Sequence, residues 1–163
     1  MNICIFVGAR PNFIKIAPIV RAIDKAKAEG KEIGSSLVYA GREDDPTLEP
    51  SLFDDLQIGR PDVCLGVDCV NLNELTGQVM SAFERYLQEH STDVVIVVDD
   101  LASTMAAAIV TKKQGILLAH LVAGTRSFDI SMPKEINRLV IDGLSDLLLS
   151  LIHISEPTRL RRI

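Results

Sequence analysis

The sequence has few of the residues that mark exported, membrane-bound or metal-binding proteins. Its three cysteines are an odd number without C-x-x-C spacing, and three histidines accompany them, which argues against a disulfide framework and against a zinc site. Neither a positively charged start nor a cleavage site follows Met1, and no apolar run is long enough to span a bilayer. We therefore expect a cytoplasmic protein with buried, reduced thiols, no metal and no membrane partner.

Basic residues are also scarce, and this shortage narrows the class of partners. The chain has 17 Lys and Arg against 22 Asp and Glu, a net charge of -5, which argues against a nucleic-acid-binding surface. Hydrophobic residues occupy 47% of the 163 positions, which is enough for a buried core and argues against disorder. The length fits one domain.

Strands and helices are predicted to alternate along the chain. Short apolar runs predict buried strands, and apolar residues at helical spacing predict amphipathic helices. Pro18 is expected to kink or restart the first helix, and Ile136, Leu139 and Val140 are expected to share one face of the last. The alternation predicts an α/β fold, a Rossmann-like, doubly wound parallel sheet. The predicted strands are residues 3–7, 36–39, 94–98 and 116–122, and the predicted helices are residues 11–30, 72–89, 103–113 and a segment that begins at residue 133.

Charged and polar residues follow several predicted strands, at the edge where parallel sheets bind ligands. Gly8 and Arg10 form a tight turn that lets an anion approach the backbone, although an ordinary turn with a surface arginine gives the same pattern. Asp99 and Asp100 follow the central strand; one is expected to cap the next helix, and the other is a candidate acid or base. A lone histidine in an apolar strand, such as His120, is more often hydrogen-bonded in a core than catalytic.

Four segments resemble, in order, the motifs of the non-hydrolysing UDP-N-acetylglucosamine 2-epimerases. These motifs are G-[TA]-R-P-x-x-x-K, V-V-x-V-x-G-D-x-x-S-T, H-x-E-A-G-x-R-S-F-D and M-P-E-E-x-N-R. The first strand is not followed by G-x-G-x-x-G, so a dinucleotide cofactor is not indicated. The likeness covers residues 1–148. The matching residues are Gly8, Ala9, Arg10, Pro11, Lys15, Val94, Val95, Val97, Asp100, Ser103, Thr104, His120, Ala123, Gly124, Arg126, Ser127, Phe128, Asp129, Met132, Pro133, Glu135, Asn137 and Arg138.

The resemblance implies a fold, a reaction and a set of roles. It implies the N-terminal half of a two-domain GT-B fold, cut off before the UDP-binding second domain, and a homodimer when full length. It also implies that UDP-N-acetylglucosamine and UDP-N-acetylmannosamine are interconverted through elimination and re-addition of UDP, without NAD, metal or other cofactor. Asp100 would be a catalytic carboxylate. The residues implied in binding the UDP-sugar are Arg10, Lys15, His120, Arg126, Asn137 and Arg138.

The sequence departs from these motifs at positions that carry the chemistry. Val122 and Lys134 stand where the family has two catalytic glutamates, and Asp99 stands where it has glycine. Residues 41–45, which read G-R-E-D-D, replace a segment that reads G-Q-H-Y-D in the family. Sequence errors and a diverged paralogue both explain these changes. The fragment is therefore expected to be inactive, and the alternatives are a paralogue that binds a nucleotide sugar without epimerising it and a GT-B glycosyltransferase-like domain.

Residues 149–163 differ in character from the rest of the chain. The run from Leu149 to Arg159 resembles the translation of a transposase-type sequencing adapter, which predicts a non-native tail after a domain that ends at residue 148. The alternative is a short strand over residues 147–154 followed by a basic tail. On the adapter interpretation, this segment contributes nothing to the fold.

Overall fold

The described part of the chain, residues 1–149 of a computed structural model, forms one six-stranded parallel sheet with helices on both faces. The strands are β1 (Asn2–Val7), β2 (Gly34–Tyr39), β3 (Val63–Cys64), β4 (Val94–Val98), β5 (Leu117–Leu121) and β6 (Leu147–Leu149). The helices are α1 (Arg10–Ala28), α2 (Pro50–Leu56), α3 (Leu72–Glu89), α4 (Ala102–Lys113) and α5 (Pro133–Leu144). The strand order β3-β2-β1-β4-β5-β6 is that of a Rossmann fold, so the predicted doubly wound sheet is confirmed.

The central strand β1 separates two apolar cores. Cys4 and Phe6 contribute to the core on the side of α3 and α4, and Ile5 and Val7 contribute to the core on the side of α1 and α2. All four side chains are fully buried. A strand that is covered on both faces needs apolar residues at every position, which explains why these strands are continuous apolar runs and do not alternate.

The predicted elements are found close to their expected limits. Helix α3 has the predicted bounds, and its N-cap is Asn71, whose side chain accepts hydrogen bonds from two backbone amides of the first turn. Helix α1 continues through Pro18 as one element, so it does not restart there, and the alternative of a kink at Pro18 stays a prediction. Helix α2 and strand β3 were not predicted, because one has seven residues and the other two.

The apolar face predicted for α5 is not the face that packs on the sheet. Ile136 and Leu139 are 46% and 42% exposed, while Glu135, Ile141 and Asp142 are buried. Two polar residues therefore take positions that hydrophobicity alone assigns to solvent. The exposed apolar side chains of α5 and of the loop before it are Phe128, Ile130, Met132, Ile136 and Leu139.

The predicted tail falls almost entirely outside the described residues. Its first residue, Leu149, closes β6, and its carbonyl oxygen accepts a hydrogen bond from the backbone amide of Ala123 at 3.0 Å. A strand thus begins at residue 147, as the alternative interpretation expected. The adapter origin of residues 149–163 stays a prediction. Among the described helices, none is both long and apolar enough to cross a bilayer.

Candidate functional site

A cavity of about 360 Å³ lies where the order of the parallel strands reverses, beyond the carboxyl ends of β1 and β4. We call it the switch-point cavity. Helices α1, α4 and α5 all begin beside it, and none of the three has a side-chain N-cap, so their positive dipole ends face the cavity. The lining residues are Ala9, Pro11, Asn12, Lys15, Asp99, Asp100, Leu101, His120, Val122, Thr125, Lys134, Arg138 and Asp142.

Asp99 links the tip of β4 to helix α1. Its backbone has a φ of 65°, in the left-handed region, so its side chain turns away from α4. One carboxylate oxygen accepts a hydrogen bond from Nδ2 of the buried Asn12 at 2.8 Å, and the other accepts from Nζ of Lys15 at 2.6 Å. Asp99 therefore neutralises the lysine that the resemblance assigns to substrate binding.

Asp100 turns the opposite way, toward α5. Its Oδ2 accepts a hydrogen bond from Nε of Arg138 at 2.7 Å, and its backbone carbonyl accepts one from Nδ2 of Asn137 at 2.9 Å. The pairing with Asp100 raises the pKa of Arg138. Because the N-cap of α4 is Leu101, the expectation that Asp99 or Asp100 caps this helix is wrong. The two carboxylates instead bind Lys15 of α1 and Arg138 of α5.

A buried polar network lies beneath the two aspartates. His120 contacts Asp142 through Nδ1, 2.6 Å from Oδ1, and the carbonyl oxygen of Asp99 through Nε2, at 2.7 Å. The other oxygen of Asp142 accepts hydrogen bonds from Nη1 of Arg126 at 2.6 Å and from the amide of Gly124 at 3.1 Å. The network connects β4, β5 and α5 under the floor of the cavity.

Both ring nitrogens of His120 face oxygen atoms. Nδ1 lies against the carboxylate of Asp142, and Nε2 lies against the backbone carbonyl of Asp99. Burial alone would raise the pKa of Asp142, but the hydrogen bonds and charges of His120 and Arg126 outweigh it and hold that pKa below its ordinary value. The sequence-based expectation of a hydrogen-bonded core histidine is met, and its ring also borders the cavity.

Glu135 anchors the loop that enters α5. Its Oε2 accepts hydrogen bonds from the backbone amide and the hydroxyl of Ser127, both at 2.8 Å, and from Nη1 of Arg138 at 3.3 Å. The bond from the Ser127 amide is the main reason why the pKa of Glu135 lies below its ordinary value. Glu135 thus binds the loop before α5 and does not replace the carboxylate that the family motif has at position 134.

The two positions at which the resemblance implies glutamates both border the switch-point cavity. Lys134 is the second residue of α5, and Val122 follows β5 directly. Val122 has a φ of 65°, a conformation that crowds the two γ-methyl groups of a β-branched side chain. A residue without β-branching fits this backbone better, so Val122 is locally strained.

The strain at Val122 leads to a stability prediction. Left-handed backbone costs an ordinary residue about 1–2 kcal/mol, whereas asparagine tolerates it. We expect Val122→Asn to change the free energy of unfolding by less than about 1 kcal/mol, because relief of strain offsets lost apolar contact. The same change at Val97, which is extended and fully buried, is expected to cost about 3 kcal/mol or more in urea unfolding. Equal losses in the two variants would contradict the assigned strain.

Two residues of the first motif have other surroundings than the sequence suggested. Arg10 begins α1 but is exposed, does not line the switch-point cavity, and makes no hydrogen bond or ion pair with any side chain among residues 1–149. Packing within the chain already requires a glycine at position 8, since a Cβ there would collide with Oγ of Ser103 on α4. The close approach at Gly8 is therefore made by helix α4.

The altered segment 41–45 lines a neighbouring cavity of about 390 Å³ beyond β2. Tyr39 donates a hydrogen bond to Asp45 at 2.5 Å, and Arg42 is paired with Asp44 at 2.6 Å. These contacts tie the segment to itself and to β2. Within the described part of the chain, no three His, Cys, Asp or Glu side chains are grouped so that they could hold a metal ion.

Comparisons with known proteins agree with the geometry. The sequence pattern of the UDP-N-acetylglucosamine 2-epimerase family matches residues 25–157. A UDP-N-acetylglucosamine 2-epimerase homolog of Methanococcus maripaludis is 36% identical over 148 residues, which are 91% of this chain and 40% of that protein. The UDP-N-acetylglucosamine 2-epimerase of Methanocaldococcus jannaschii is 33% identical over 161 residues, which are 99% of this chain and 43% of that protein.

A solved structure shares the fold of the chain. The Methanocaldococcus jannaschii UDP-GlcNAc 2-epimerase, in complex with UDP-GlcNAc and UDP, superposes with a TM-score of 0.83 at 31% sequence identity. The match covers 98% of this chain and 42% of that one. The chain therefore spans about two fifths of the length of the relatives it matches.

Proposed function

Because the chain belongs to the UDP-N-acetylglucosamine 2-epimerase family, we propose that its switch-point cavity binds the sugar end of a UDP-linked N-acetylamino sugar. The observation that carries this proposal is the convergence of Lys15, Asp100, His120 and Arg138 on one cavity. Three helix N-termini around that cavity favour the negative charge of a diphosphate. Asn137 and Arg126 support the site from behind, through Asp100 and Asp142.

The whole protein, on this proposal, is a nucleotide-sugar 2-epimerase of GT-B type. A base removes the C2 proton of UDP-N-acetylglucosamine as UDP leaves C1, which forms a C1–C2 double bond. UDP then adds back to C1 while an acid delivers a proton to the opposite face of C2, which gives UDP-N-acetylmannosamine. Asp100 is the carboxylate of this domain that is best placed to move a proton. Arg138 holds Asp100 in one orientation, and the exchange of two carboxylates for Val122 and Lys134 removes the other proton carriers. We propose that the chain binds the nucleotide sugar with little or no turnover.

The proposal includes the setting in which the full-length protein works. Free cysteines, of which Cys4 is buried, suit a reducing cytoplasm. The exposed apolar side chains Phe128, Ile130, Ile136 and Leu139 suit an interface, and we propose a homodimer for the full-length protein.

The binding proposal is tested by NMR on the uniformly ¹⁵N-labelled chain of 163 residues. We expect UDP-N-acetylglucosamine to shift the amide signals of Ala9, Leu101 and Thr125, which border the cavity. The amides of Gly30 and Gly115 precede β2 and β5, at the opposite edge of the sheet, and serve as internal controls. Shifts confined to that opposite edge, or no shifts at millimolar ligand, would contradict the proposal.

A further inference from the structure

Most charged side chains of the switch-point cavity form ion pairs with one another. Lys15 is 2.6 Å from Asp99, and Arg138 is 2.7 Å from Asp100. Asp142 is held by His120 and by Arg126, each at 2.6 Å. A ligand that enters the cavity meets ion pairs, and it must break one of them to reach most of the cations.

Lys134 is the exception. Its side chain lines the cavity, is exposed, and makes no hydrogen bond or ion pair with any of residues 1–149. An ammonium group carries three donors and no acceptor, so all three donors of Lys134 are available to an incoming anion. No partner in the described chain has to be displaced first.

The backbone conformation at Asp99 holds Lys15 in an ion pair and so keeps its ammonium group from a ligand. The left-handed φ of Asp99 directs its carboxylate to α1, where Asn12 binds the second oxygen and fixes its orientation. The side chain of Asp99 is only 15% exposed, whereas that of Lys15 is 37% exposed. A tethered carboxylate acts at a high effective concentration, so an external anion competes poorly for Lys15.

We propose that Lys134, and not Lys15, binds the anionic group of the ligand in this chain, and that Asp99 is the residue that determines this choice. The anionic group is a phosphate of the diphosphate or a carboxylate on the sugar, since an ammonium group binds either one. The inference rests on the proposed function, because it takes the ligand to be a nucleotide sugar that enters this cavity.

The test measures dissociation constants by NMR titration of the 163-residue chain and its variants with UDP-N-acetylglucosamine. We expect Lys134→Gln to weaken binding about tenfold, the usual effect of losing one charge-assisted hydrogen bond, and Lys15→Gln to weaken it less than about twofold. Lys31→Gln, at an exposed position before β2, is the matched control and should leave affinity unchanged.

Asp99→Gly tests whether the ion pair with Asp99 keeps Lys15 from binding the ligand. Glycine fits a φ of 65° without strain, so this variant is expected to fold. It should bind the ligand several-fold more tightly than the parent, and adding Lys15→Gln to it should remove that gain. A Lys15→Gln change that costs the same with and without Asp99 would overturn the proposal.

A second ligand identifies the source of the anion. If Lys134→Gln weakens binding of UDP-glucuronate and UDP-N-acetylglucosamine equally, Lys134 contacts the diphosphate; a larger loss for UDP-glucuronate assigns the contact to the sugar carboxylate. Both results support the proposal. No loss with either ligand would overturn it while leaving the proposed function intact, whereas a parent chain that binds neither ligand would overturn both.

Discussion

Replacing Asp142 by leucine is expected to lower the free energy of unfolding by about 3–5 kcal/mol, the usual loss when one member of a buried ion pair is removed. Asp142 is 3% exposed, and its two oxygens accept hydrogen bonds from His120, Arg126 and the Gly124 amide. Leucine has the same branching at Cγ but accepts none of these hydrogen bonds, so three donors lose their partner in a largely buried site. Urea unfolding followed by circular dichroism measures the loss.

Two further variants show that the loss comes from the network. Asp142→Asn keeps one side-chain oxygen that can accept hydrogen bonds, so we expect a smaller loss. Asp55→Leu, at an exposed position of α2, should change stability by less than about 0.5 kcal/mol. If Asp142→Leu were as mild as Asp55→Leu, the network would contribute nothing to stability.

The contribution of Asp142 has a defined dependence on pH. Its pKa is lower in the folded chain than in the unfolded chain, so its stabilising effect is fully present above the ordinary carboxyl pKa of about 3.9. The effect is lost as the pH falls through the folded pKa. The stability difference between the parent and Asp142→Leu should therefore shrink below about pH 4.

The sheet and its helices were predictable because hydrophobic periodicity survives in each strand and each amphipathic helix. The run Val94–Val98 can only be a strand buried on both faces, and α3 carries its own N-cap residue, Asn71. The region of α2 and β3 lacked such a signal, because seven and two residues are too few to establish a period. Tertiary packing decides the structure of such short segments.

The position of the site could be predicted from the sequence, but the ion pairs within it could not. Parallel strands bring their carboxyl ends to one edge, which was sufficient to bring Asp99, Asp100 and His120 together. The ion pairs of the two aspartates depend on the left-handed backbone conformation of Asp99. Residues other than glycine adopt this conformation rarely, and the amino-acid sequence does not indicate it here.

Asp142 was missed, although the sequence contained a signal for it. It lies in the last turn of α5, where a negative charge opposes the helix dipole. An acidic residue at such a position, on the face that also carries Ile141, indicates a buried cationic partner. Because Ile136 and Leu139 are apolar, the sequence predicted that their side of α5 is buried, but this side is exposed.

Restoring two carboxylates is expected to produce the largest change in activity. In a chimera in which the remainder of the Methanocaldococcus jannaschii relative follows residue 148, we expect binding of UDP-N-acetylglucosamine with little exchange of its C2 proton. Adding Val122→Glu and Lys134→Glu should raise that exchange by roughly 10²- to 10⁴-fold, the usual contribution of a well-placed acid or base. Two restored residues that act as a unit need not multiply their effects.

The measurement is the loss of the C2 proton signal of UDP-N-acetylglucosamine in D₂O, followed by NMR for each chimera. The backbone at position 122 should accept glutamate at least as well as valine, because glutamate lacks the β-branch that a φ of 65° crowds. Lys134 is exposed at the cavity, so its replacement should leave the fold intact. Asp100→Asn in the restored chimera should abolish exchange again, since the proposed proton transfers need Asp100 together with the two restored carboxylates. Fast exchange by the chimera that keeps Val122 and Lys134 would contradict the inactive site and move the proton transfers to other residues.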